Sequence, residues 1–108
     1  MKRIMIGYAC LSVVLTLAAI AVAQQKKHSV VPKNGFVPDE KTAIRIAEAV
    51  WTPIYGEEKL NAERPFHATL KAGVWTVEGS LPEGTLGGVA VAEIAQRDGR
   101  IIRVSHGK

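Results

Sequence analysis

Cysteine occurs once among the 108 residues, as Cys10. A chain so poor in thiols has no disulfide framework, and a thiolate metal site needs more ligands than it offers. Aromatic side chains make up only 6% of the residues, so Trp51, Trp75 and Phe66 carry an outsized share of any core, at about 1.5–3 kcal/mol for each large apolar side chain buried. Charge of one sign is not in large excess either. The formal net charge is +4, and Lys2 and Arg3 lie in a segment expected to be removed, so the 14 basic residues fall to 12 against 10 acidic ones, leaving +2. That is too little to indicate a nucleic-acid partner. The glycines of Gly84-Thr85-Leu86-Gly87-Gly88 are not followed by Lys-Ser/Thr or by a helical pattern, so they read as a bend or bulge before a strand rather than a phosphate loop. His28, His67 and His106 lack the spacing of metal ligands.

What the chain does have begins at its first residues. Met1-Lys2-Arg3 precedes an apolar run from Ile4 to Ile20, and Ala21-Val22-Ala23 precedes the polar Gln24-Gln25-Lys26-Lys27. A cationic start, an apolar stretch and an Ala-x-Ala site in that order predict a secretory signal peptide over residues 1–23, cleaved after Ala23. The competing readings are an uncleaved anchor, since the run approaches membrane-spanning length, and a lipoprotein through Cys10. Export leads to a periplasmic or secreted protein that meets a membrane only through the uncleaved signal. Cys10 departs with the signal, leaving about 85 residues. One small domain of that size buries roughly 60–65% of its unfolded surface.

Residues 24–35 are polar, contain Pro32, Asn34 and Gly35, and keep no period, so they read as a flexible leader. The domain then occupies residues 36–108. Between Asp39 and Ile54 the apolar positions Ala43, Ile44, Ala47, Val50, Trp51 and Ile54 recur at spacings of three and four, which draws one stripe along a helix. Asp39 is placed to cap it, Pro53 to disturb its last turn and Gly56 to end it. Glu57 to Pro65 reads as a charged connector.

The rest alternates with period two. Pairing Phe66–Lys71 with Val74–Ser80 around Ala72-Gly73 sets His67 opposite Glu78, Ala68 opposite Val77, Thr69 opposite Thr76 and Leu70 opposite Trp75, giving one apolar and one polar face. A second hairpin joins Val89–Gln96 to Arg100–His106. A three-residue loop, Arg97-Asp98-Gly99, sets Ile94 opposite Ile102, Ala92 opposite Val104 and Glu93 opposite Arg103. The expected fold is α+β: one main helix packed on a curved four-stranded antiparallel sheet, with Leu70, Trp75, Ile94 and Ile102 facing Ala47, Val50 and Trp51.

The polar face then carries His67, Thr69, Thr76, Glu78, Glu93 and Arg103, the candidate residues for contact with a partner. His67 opposite Glu78 could pair a base with an orienting carboxylate, but no nucleophile or oxyanion hole accompanies them, and a cross-strand polar pair is the expectation. No catalytic residue, metal ligand or cofactor is assigned. Arg97, Arg100, Arg103 and Lys108 gather near the C-terminus, where they protect an edge strand from mispairing or meet an acidic protein.

Several stretches, taken in order, resemble one family. They are Val37-Pro38-Asp39-Glu40-Lys41-Thr42-Ala43-Ile44-Arg45-Ile46-Ala47-Glu48-Ala49, Pro53-Ile54-Tyr55-Gly56, Trp75-Thr76-Val77-Glu78-Gly79-Ser80-Leu81-Pro82, Gly87-Gly88 and His106-Gly107-Lys108. Together they are similar to the NTF2-fold immunity proteins of bacteria. The resemblance implies a reduced NTF2-like, cystatin-like domain and a non-enzymatic protein that binds and neutralises a toxin. A small-ligand carrier or envelope housekeeping domain of the same fold is the alternative.

Overall fold

The computed structural model describes residues 28–107; the expected signal segment and cleavage site lie outside them. From Val31 onward the chain forms one compact unit. Its main helix, α1, spans Glu40–Tyr55. The Asp39 carboxylate accepts the Thr42 N–H at 2.8 Å, satisfying a donor that the first helical turn leaves free. At the other end Gly56, at φ 89°, donates its N–H to Thr52 O and closes the helix despite Pro53 in the last turn. Ala43, Ala47 and Trp51 form the buried stripe.

The stretch expected to be a connector is partly helical. A second helix, α2, covers Glu57–Ala62 and inserts Leu60 into the core. A single apolar residue in a charged run leaves no readable period, although Glu57 and Glu58 in the first turn and Lys59 in the last suit the helix dipole.

Four antiparallel strands follow in sequential order: β1 His67–Lys71, β2 Val74–Glu78, β3 Ala90–Ala95 and β4 Ile101–His106. The β1–β2 register matches the alternation argument at every pair, from His67 opposite Glu78 to Leu70 opposite Trp75. In the second hairpin Ala92–Val104 and Glu93–Arg103 hold as expected, but Ile94 pairs with Ile101, not Ile102. The loop is one residue longer than expected. Ala95 donates to Arg100 O at 2.9 Å and Gly99 donates to Ala95 O at 2.9 Å, so Gln96–Gly99 forms the turn and Ile102 is left over as a bulge.

Trp51, Trp75, Phe66, Val77, Ala90, Ala92, Ile94, Leu60 and Val37 fill the space between α1 and the sheet. Leu70 and Ile102, expected beneath the helix, are 41% and 44% exposed. Both stand on edge strands, β1 and β4, where a single helix gives little cover.

Val31–Gly35, assigned by composition to the end of the leader, belongs to the compact unit. Gly35 donates to Pro32 O, Phe36 to Arg97 O at 2.9 Å and Val37 to Gln96 O at 3.0 Å. The Val37 carbonyl accepts the buried Trp75 Nε1–H at 2.8 Å. This strap is thereby tied to the β3–β4 turn and to the core.

Candidate partner-binding surface

Because side chains alternate along a strand, the register places the six candidate residues on the face opposite α1. Thr69, Thr76, Glu93 and Arg103 form one row across all four strands, and His67 and Glu78 start the neighbouring row, which continues through Val91 to Ser105. Arg103 links the rows. Its Nη2 donates to Glu93 Oε1 at 3.2 Å and its Nη1 to Ser105 Oγ at 3.0 Å. An ion pair with an arginine half exposed is worth at most about 1 kcal/mol, so its main effect is to fix the direction of the guanidinium. His67 and Glu78 are both exposed register partners, and the hydrogen bonds found among the described residues include none between their side chains. Hydroxyls, one ion pair and a free imidazole and carboxylate offer hydrogen bonding and charge to a docked surface.

A second polar group lies on the core side and was not visible in the sequence. Glu63 is 6% exposed. Its Oε1 accepts the N–H of buried Ala90 at 2.7 Å, and its Oε2 lies 2.9 Å from His106 Nε2. His106 Nδ1 faces the Gly107 carbonyl at 2.7 Å, and its ring tilts against Tyr55 with centroids 5.2 Å apart. The Glu63 carbonyl also accepts Ser80 N–H at 2.7 Å. Both carboxylate oxygens and both ring nitrogens are engaged in joining the end of α2 to β3 and β4, so the group works as a clasp. A buried glutamate is rare, and nothing in Asn61-Ala62-Glu63-Arg64 distinguishes Glu63 from the solvated charges around it. The nearest signal was the pair of glycines against which the clasp closes. A Cβ on Gly79 would lie 2.7 Å from Glu63 Oε1, and one on Gly88 would overlap the Gly107 backbone.

A helix laid across one face of a curved, four-stranded antiparallel sheet defines an NTF2-like α+β domain. The model of the NTF2 fold immunity protein family matches residues 42–108, and the chain belongs to that family. It is also similar to two proteins of Escherichia coli (strain K12). "Uncharacterized protein YhhH" is 34% identical over 76 residues, 69% of this chain and 60% of the relative. "Uncharacterized protein YbbC" is 36% identical over 73 residues, 67% of this chain and 60% of the relative. The chain thus spans about 60% of the length of the curated relatives it matches. No solved structure gives a significant match.

Proposed function

We propose that this chain is an exported, non-enzymatic binding protein that neutralises a bacterial toxin by direct contact through the open face of its sheet. The observation that carries the reading is that face. Its two rows, polar but for Val91, run across the strands, and the polar members are committed to few hydrogen bonds within the fold. Membership of the immunity family supports a protein partner. The clasp, whose polar atoms are all in use, offers no free reactive group. A small-ligand carrier calls for an apolar cavity between helix and sheet, and Trp51, Trp75, Val77 and Ile94 occupy that space.

On this reading the signal segment directs the protein to the periplasm or beyond, and the mass of the mature protein, beginning at Gln24, tests that step. The function is tested by producing the chain together with the product of the neighbouring reading frame as the candidate toxin. Wild type should restore survival. A Thr76→Arg/Glu93→Lys double variant, altered in the middle of the face, should lose protection while still unfolding in one cooperative urea transition. Survival that is the same with and without the wild-type chain would sink the immunity reading, and full protection by the double variant would move the contact elsewhere.

A further inference from the structure

Both hairpin turns and the strap meet at one end of the sheet, where Val31–Gly35, Gly73, Gln96 and Arg97 enclose an open cavity of about 400 Å³. Its polar side chains are those of Lys33, Asn34, Gln96 and Arg97, and no acidic residue lines it. Neither Lys33 nor Arg97 takes part in the ion pairs found among the described residues. Lys71, at the end of β1, adds a further cation at this end of the sheet. We infer that this cavity receives a carboxylate side chain from an acidic loop of a protein partner. The inference rests on the proposed binding function and extends it by assigning the partner's chemistry at a second contact point.

Two features suit the cavity to a carboxylate. Of the backbone N–H groups that line it, those of Gly35 and Gln96 are spent on the carbonyls of Pro32 and Gly73. The charged donors are side chains, a planar guanidinium that can meet both oxygens of a carboxylate and an ammonium, with two amides beside them. Val31 and Pro32 add an apolar wall for the methylenes of a Glu or Asp.

The cavity exists because the strap lies close to the turn. Gly35, at φ 77°, packs where a Cβ would overlap the Gln96 carbonyl oxygen and approach Arg97 Cα to 2.8 Å. A side chain there lifts the strap and opens the pocket.

The test titrates the full-length mature protein with a fluorescent polyglutamate peptide at low salt. Wild type should bind, and Lys33→Gln/Arg97→Gln should weaken binding about tenfold, a change of 1.4 kcal/mol. Lys41→Gln/Arg45→Gln, which removes the same charge from α1, should leave it unchanged. Gly35→Ala should weaken binding while both cations remain. No binding by wild type, equal losses from the two double variants, or displacement of the peptide by inorganic phosphate more readily than by acetate would each overturn the inference. Urea unfolding of every variant checks that the fold is intact. Because the probe is not a toxin, failure here counts against the pocket, while failure of the survival assay counts against the immunity reading.

Discussion

The Glu63 carboxylate occupies the space that a side chain on Gly79 would need: Oε1 stands 2.7 Å and the Glu63 Cβ 3.0 Å from the position of a Gly79 Cβ. That contact lets the same oxygen reach Ala90 N–H at 2.7 Å. Gly79→Ala should therefore destabilise the domain by about 1–3 kcal/mol through overpacking. Glu63→Ala should cost a similar amount by stranding a buried N–H. The two changes should not add. Removing the carboxylate also removes most of the clash, and a double-mutant cycle read by urea unfolding should give a coupling of about 1 kcal/mol. Additive losses would mean that Gly79 is needed for another reason.

Strand position makes the isoleucines of the second hairpin unequal, because β3 is an inner strand and β4 an edge. Ile94 is fully buried, while Ile102 is 44% exposed. Ile94→Ala should cost about 2–5 kcal/mol, and Ile102→Ala should stay within about 1 kcal/mol. Comparable losses in the unfolding midpoints would mean that the edge strand β4 is covered as fully as β3.

These residues also mark how far the sequence could be read. In β1–β2 both strands alternate and a two-residue turn separates them, so any slip would put Trp75 and Val77 on the wet face, and one register survives. In β3–β4 the turn is longer. Ile101 and Ile102 are chemically equivalent partners for Ile94, so hydrophobic patterning alone could not decide between them. Glu63 and the strap were illegible for a different cause. Their roles come from backbone groups distant in sequence, Ala90 N–H for Glu63 and Arg97 O for Phe36 N–H, and no local period records such a pairing. The polar face was legible because it is the complement of the apolar one.

The cap of α1 should be visible in the acid stability of the protein. The hydrogen bonds from Thr42 hold the Asp39 carboxyl below the usual carboxylate range, with Lys41 and Arg45 nearby adding to the effect. A carboxyl whose pKa is depressed by folding stabilises the native state fully above its unfolded value, about 3.9. That contribution is lost as pH falls through the lower folded value. Asp39→Asn keeps a capping oxygen that does not titrate. Urea midpoints followed from pH 6 to pH 2 (roughly, the range spanning these values) should fall less steeply below about pH 4 for the variant than for wild type. Parallel curves would show that folding leaves the pKa of the Asp39 carboxyl unchanged.

One position in the chain carries strain that a single substitution should remove. Ala72 has φ 50° and Gly73 φ 76° in the two-residue turn between β1 and β2, the left-handed pair that matches the twist of a tight hairpin. Glycine adopts this conformation freely and asparagine readily, whereas the Cβ of alanine meets the following carbonyl at a cost of about 1–2 kcal/mol. Ala72 is exposed, so its methyl contributes little packing to set against that cost. Ala72→Asn would create an Asn-Gly turn and should raise stability by about 1 kcal/mol, seen as a higher urea midpoint with an unchanged slope. Ala72→Gly should gain less, because the added freedom of glycine in the unfolded chain offsets part of the relief. Ala72→Val, with a branched Cβ in the same left-handed position, should lose stability. The order Asn, Gly, Ala, Val is specific to this turn: if the 72–73 pair sat in a right-handed turn, asparagine and glycine would bring no gain over alanine.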